Sequence, residues 1–250
     1  MMAMVIETKG LTKAYGNHTA VDHLDLEVQK GEIFGFLGPN GAGKTTTLLM
    51  LLGLSEPSFG TASVLGFDPC RNPLQVKSKV GYLPENVGFY PEMTAGENLA
   101  YVARLNNVPE KQVNELVMET LLLVGLADEA AKKAGAYSRG MRQRLGIAEV
   151  LIKKPELVFL DEPTLGLDPD GINRMLDLIV DLNREQNITV LLSSHHLHQV
   201  QRICTQVGIM SQGDIIAQGG IKELAQQIPG RDGEPESTLE QIYMRYFKEA

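Results

Sequence analysis

Apolar and polar positions alternate over residues 4–8 and 23–28, a period of two that predicts strands of a small antiparallel layer. Gly16-Asn17 marks the turn region between them. Residues 32–37, Glu-Ile-Phe-Gly-Phe-Leu, are a nearly unbroken apolar run, which predicts a strand covered on both faces. A glycine-rich stretch follows, and over 44–52 the pattern becomes helical. After a turn at 57–60, short strands are expected over 61–65 and 80–83, and then the character of the chain changes. Thr94-Ala-Gly-Glu97 reads as a capping box opening one helix, Pro109 opens a second reaching residue 124, and Ser138 a third reaching residue 154. The strand pattern returns at 157–160, ending on Asp161-Glu162, and again at 188–193, with a helix over 170–185 between.

This order predicts an α/β fold: a catalytic core from 1–85 and 155–227, and an inserted α-helical subdomain over 86–154. Residues 228–237 are rich in Gly, Pro and charge, and 238–248 have the pattern of a short amphipathic helix, so 228–250 is expected to be a linker and C-terminal helix. No internal repeat is visible.

Composition narrows the classes. With 43% apolar and 22% charged residues among 250, the chain has the profile of a folded globular protein. A net charge of −8 argues against a nucleic-acid partner, whose phosphates need clustered Lys and Arg. The two cysteines, Cys70 and Cys204, are far apart and suggest neither a disulfide framework nor a zinc site, which fits the cytoplasm. The most apolar stretch, 48–54, falls short of the roughly 20 residues that span a bilayer, and the N-terminus lacks a signal-peptide pattern. If a membrane is involved, another chain is expected to cross it.

Gly38-Pro39-Asn40-Gly41-Ala42-Gly43-Lys44-Thr45 matches G-x-x-x-x-G-K-[ST], with a strand before it and a helix after. The glycines let backbone N–H groups form an anion nest, the helix N-terminus adds partial positive charge, and Lys44 adds a full charge for the β- and γ-phosphates. Together with Thr46 this stretch is expected to hold ATP, with the Thr45 hydroxyl on Mg²⁺. The core is therefore expected to be a P-loop NTPase (RecA-like) core behind the N-terminal antiparallel β layer. Asp161-Glu162 stands where a buried strand emerges, the place where open α/β sheets put their ligands. Asp161 is expected to hold Mg²⁺ and Glu162 to act as general base on the attacking water.

The segment Tyr137-Ser138-Arg139-Gly140-Met141-Arg142-Gln143-Arg144, upstream of Leu160-Asp161-Glu162-Pro163, resembles the signature segment of ABC transporter ATPases, usually written LSGGQ. The resemblance extends over nearly the whole chain. It implies a head-to-tail dimer with a second ATPase subunit, identical or homologous, in which Ser138, Arg139, Gly140 and Met141 of one subunit face the ATP held by the other. A helix-capping Ser138 suits that role physically, since it offers a hydroxyl and a helix N-terminus to an anion. Asp168 before Pro169 reads as an N-cap and also matches the family's D-loop. By the same resemblance His195 is the switch histidine that contacts the γ-phosphate, and Tyr15 stacks on adenine. His196 and His198 are read as surface or packing residues.

Two departures stand out. Glu85, in Gly81-Tyr82-Leu83-Pro84-Glu85, occupies the position where most members carry a glutamine that reaches Mg²⁺; a carboxylate also binds Mg²⁺. Arg139 and Met141 differ from the commonest signature and resemble the YSKGM-type variant of exporters for drugs, ions, lipids or polysaccharides. Residues 81–99 are also similar to the ATPases of nitrous oxide reductase maturation. The resemblance implies an integral membrane permease as partner, a peripheral location on the cytoplasmic face of the membrane, and a docking groove beside Glu85 whose exposed apolar residues are Phe89 and Tyr90. The alternative is a soluble ABC ATPase not linked to a permease. A P-loop kinase would give the signature segment and His195 no purpose.

Overall fold

The computed structural model describes residues 3–227 and 239–248. The chain opens with β1 (Met4–Tyr15), which pairs antiparallel with β2 (His18–Leu24) and β3 (Glu27–Gln29). After β4 (Ile33–Leu37) and α1 (Lys44–Leu51), β5 (Phe59–Val64) returns to pair antiparallel with β1 and completes a four-stranded layer. The expected strand at 4–8 therefore continues to Tyr15. The expected strand at 23–28 is broken in two. His23 adopts a left-handed φ of 47°, and the Thr8 hydroxyl donates to Leu24 O and accepts from Leu26 N, both at 2.8 Å, in place of a continuous ladder. Leu24, Leu26 and Val28 are buried on either side of the break, so the alternation survives it and pattern alone does not reveal it.

Past α2 (Pro73–Lys79), which the apolar pattern did not announce because it buries Val76 alone, β6 (Val80–Leu83) leads into three helices. These are α3 (Ala95–Leu105), α4 (Glu110–Leu123) and α5 (Arg139–Leu151). The capping box at Thr94 is complete: Thr94 Oγ1 accepts from Glu97 N, and Thr94 N donates to Glu97 Oε2. Ser138 caps α5, which ends three residues before the expected 154, where Lys154 turns left-handed at φ 50°.

β7 (Leu157–Asp161), α6 (Pro169–Gln186), β8 (Thr189–Ser194), α7 (Leu197–Ile203), β9 (Gln206–Ser211) and β10 (Asp214–Gly219) rebuild the core. The second sheet has the order β10-β9-β4-β8-β7-β6, parallel except for the edge strand β10. α8 (Ile221–Gln227) follows, the predicted linker at 228–237 lies outside the described residues, and α9 (Leu239–Lys248) matches the expected amphipathic helix, burying Leu239 and Ile242. No helix among the described residues is long and apolar enough to cross a membrane.

Period-two geometry divides the core into two layers. Phe34, Phe36, Leu157 and Phe159 join the cluster under the antiparallel layer, while Ile33, Leu37, Val158 and Leu160 face the helices on the opposite side. Covered on both faces, these strands contain no polar residue until their carboxyl ends. Gly35 faces α7, where a Cβ would lie 2.5 Å from Val200 Cγ1 and 2.9 Å from Cys204 Sγ. Gly35→Ala is therefore expected to lower unfolding stability by about 1–3 kcal/mol, measured as a lower urea midpoint with an unchanged slope.

Candidate active site

β4, β8 and β7 are neighbours, so their carboxyl ends place Gly38, Asp161 and Ser194 along one edge of the sheet. The loop leaving β4 caps α1 with Gly43, at a left-handed φ of 102° and with a Cβ position only 2.5 Å from Ala20 O; a side chain fits neither the conformation nor the space. Lys44 is 7% exposed, and its ammonium donates to Gly38 O at 2.7 Å and Pro39 O at 3.2 Å. Burial holds this ammonium below the usual lysine range, and the nearby Glu162 and Asp161 carboxylates pull it partly back. Lys44 Nζ lies 3.8 Å from Glu162 Oε1.

Asp161 is buried with both oxygens engaged. Its Oδ2 accepts from Thr45 Oγ1 at 2.9 Å, and its Oδ1 accepts from Ser193 Oγ at 2.5 Å. Ser193 Oγ also accepts from the backbone N–H of Glu162 at 3.0 Å. Glu162 itself sits at a left-handed φ of 48°, a strained conformation for a residue with a side chain. Its Oε1 lies 3.0 Å from His195 Nδ1, and because a carboxylate oxygen accepts, the ring proton belongs on Nδ1. Its Oε2 is buried and has no hydrogen-bond partner among the described residues.

A cavity of about 230 Å³ lies between these groups, lined by residues 40–46 and by His18, Ala20, Glu85, Asp161 and Glu162. Glu85 is thus at the cavity, and burial, helped by the Asp161 and Glu85 carboxylates, pushes the Tyr82 hydroxyl up to about 12. Tyr15 is not among the lining residues; it is 52% exposed, with Lys13 Nζ 5.0 Å from its ring centroid. Ser138, Arg139, Gly140, Met141 and Asp168 line a second cavity of about 230 Å³ with Gly166, Leu167, Gly171 and two more arginines. Within one chain the two groups of predicted site residues therefore form separate cavities. Ser138 and Asp168 are genuine N-caps, accepting from Met141 N and Gly171 N, each at 3.2 Å.

Phe89, expected to be exposed, is half-buried and packed against the core; Tyr90 is 54% exposed and meets Tyr101 edge-on at 5.5 Å. Asn98 is buried and ties down this loop, accepting from Tyr90 N and donating to Tyr90 O, Met93 O and Thr94 O. His196 is exposed and its ring lies 4.0 Å from that of His195; His198 is 3.6 Å from Glu240. The sequence reading missed Ser193 and Asn98. For Ser193 the only signal was a polar residue ending an apolar strand beside the Asp161 strand.

The ABC transporter family profile matches residues 21–165. The chain is 45% identical over 215 residues to the bacitracin transport ATP-binding protein BcrA of Bacillus licheniformis, covering 86% of this chain and 69% of that one. It is 36% identical over 226 residues to the linearmycin resistance ATP-binding protein LnrL of Bacillus subtilis strain 168, covering 90% and 72%. A solved ATP-binding subunit of an ABC transporter superimposes with a TM-score of 0.83 at 28% identity, covering 97% of this chain and 99% of that one. A P-loop cavity beside a buried carboxylate pair, a capped signature helix and these likenesses agree: the chain belongs to the ATP-binding subunits of ABC transporters, enzymes that bind and hydrolyse ATP.

Proposed function

We propose that the cavity beside Lys44 holds the triphosphate of ATP and that Glu162 is the general base of hydrolysis. The observation that carries this reading is the placement of Glu162 at the cavity, with its Oε1 3.8 Å from Lys44 Nζ and 3.0 Å from His195 Nδ1. Residues 40–46 supply backbone N–H groups to the phosphates, and Lys44 exchanges its two carbonyl acceptors for phosphate oxygens. Glu162 takes a proton from water as the water oxygen bonds to the γ-phosphorus and the bond to the β,γ-bridging oxygen breaks. His195, held through Nδ1, leaves Nε2 to accept a hydrogen bond from that water when the ring is neutral, and to donate to the γ-phosphate when the ring is protonated. Tyr15 is assigned to adenine on resemblance and exposure.

The donor set fits Mg²⁺, a hard cation that takes oxygen ligands: Thr45 Oγ1 and Asp161 would hold it, with Glu85 at the rim. When bound, the ion supplies positive charge against the β- and γ-oxygens. Ser193 keeps Asp161 oriented and fixes the backbone of Glu162.

The separation of the two cavities supports a head-to-tail dimer, with Ser138 to Met141 and Asp168 of one subunit completing the ATP site of the other. The partner is a second copy or a homologue. Residues 86–154 are read as a helical subdomain within a core of 1–85 and 155–227, with 228–250 as a C-terminal appendage. Its loop at 89–93, braced by Asn98, would receive an integral membrane permease at the cytoplasmic face, with Tyr90 and Tyr101 as the exposed contacts. The relatives named for bacitracin transport and linearmycin resistance favour export of an antibiotic-class compound.

Glu162→Gln is expected to lower kcat by about 10²- to 10⁴-fold while trapping an ATP-dependent dimer; phosphate release and light scattering read both, and full turnover by a monomer would refute the assignment. Ser193→Ala leaves Asp161 Oδ1 without its partner, while Glu162 N keeps the Ser193 carbonyl at 3.3 Å. It should cost about 1–3 kcal/mol of stability and slow turnover, checked by chemical denaturation beside steady-state kinetics. Tyr90→Ala with Tyr101→Ala should weaken co-purification with the permease encoded for this system while leaving the isolated ATPase rate unchanged; unaltered co-purification would remove the docking surface.

A further inference from the structure

Arg139 is the first residue of α5, a position where the helix dipole disfavours a cation. Its guanidinium has no hydrogen-bond or ion-pair partner among the described residues, yet it does not extend away from the protein. It lies over Gly166, where an added Cβ would be 2.6 Å from Arg139 Cζ and 2.6 Å from Nη1. Gly166 has a left-handed φ of 69°, a backbone conformation that disfavours a side chain and leaves the guanidinium room to lie there. One residue further along, Gly140 of α5 faces Leu167 Cδ2 at 3.9 Å from its own Cβ position. The N-terminal turn of α5 thus lies against the 165–168 loop, through Arg139 over Gly166 and with Gly140 turned toward Leu167.

That loop leads directly to the proposed general base. Leu165 N donates to Glu162 O at 3.1 Å and Leu167 N to Thr164 O at 3.2 Å, two tight turns between Glu162 and the α6 cap at Asp168. Thr164 Oγ1 in turn is paired with Gln199 of α7, the helix that follows His195. Displacing Gly166 therefore strains both turns and the Glu162 backbone, which already holds a left-handed conformation.

We propose that Arg139 is a positioning residue: its guanidinium clamps Gly166 within the same subunit, so that the signature helix sets the geometry of that subunit's own Glu162. This deepens the reading of Ser138 to Met141 as the surface facing the partner's ATP, and rests on it. Engagement of the partner's nucleotide by α5 then reaches Glu162 through Arg139 and Gly166, a route within one subunit that adds to the coupling of the two sites which the D-loop resemblance implies.

The clamp is testable without a dimer. In the isolated subunit without nucleotide, Arg139→Ala should speed hydrogen exchange at the Leu165 and Leu167 amides by about 3- to 30-fold, with exchange in β4 and β7 unchanged. In Mg²⁺-ATP, the same variant should lower kcat by a similar factor of about 3 to 30 and reduce the Hill coefficient from about 2 towards 1. ATP-driven dimerisation in the Glu162→Gln background should keep its ATP dependence. Gly166→Ala should reproduce both effects, and the double variant should be no worse than either single one. Unchanged amide exchange in Arg139→Ala overturns the clamp even if turnover falls. Dimerisation that instead needs more ATP assigns Arg139 to the partner's phosphates and likewise overturns it. Failure of the Glu162→Gln subunit itself to dimerise removes the dimer reading, and the cooperative role of Arg139 with it, whatever Arg139→Ala does.

Discussion

The site depends on one hydroxyl. Ser193 Oγ donates to Asp161 Oδ1 and accepts from Glu162 N, so a single buried group at the end of β8 fixes both carboxylate residues at the end of β7. Asp161 then has one oxygen left for Thr45, which joins the strand end to the first turn of α1. Three elements from distant parts of the chain are thereby held at hydrogen-bond distances, and because Asp161 and Ser193 are buried, loss of the bond between them leaves a buried polar group unpaired. The parallel register that sets Asp161 opposite Ser193 is the condition for all of it.

Around this knot the protein keeps two features that are unfavourable on their own. Glu162 is left-handed without being glycine, and its Oε2 is buried without a partner. Both are local penalties that the surrounding structure over-determines. Lys44 shows the complementary arrangement: its ammonium rests on two carbonyl oxygens of its own loop, ready to be exchanged for a ligand.

Distance between the two cavities organises the rest. The signature residues cap a helix on one part of the surface and the P-loop opens on another, so an ATP site built from both draws on two chains. The contact of Arg139 with Gly166 gives the signature helix a short path back to Glu162 inside one subunit. The arginine at position 139, where the commonest signature has glycine, supplies that contact.

Much of this was written locally. The P-loop, the Asp161-Glu162 strand end, the caps at Thr94, Ser138 and Asp168, and the helices over α3 to α6 follow from spacing, backbone preference and capping, which act between residues a few positions apart. The family resemblance rested on those same short segments. What the sequence left open was decided by contacts between residues far apart: the β2–β3 break made by Thr8, the burial of Phe89, the bracing of its loop by Asn98, and Ser193 as the bridge between carboxylates. A serine at the end of an apolar strand looks the same whether it faces solvent or a carboxylate. Strand order alone makes β7 its neighbour, and strand order is set by which apolar faces bury one another across the whole chain.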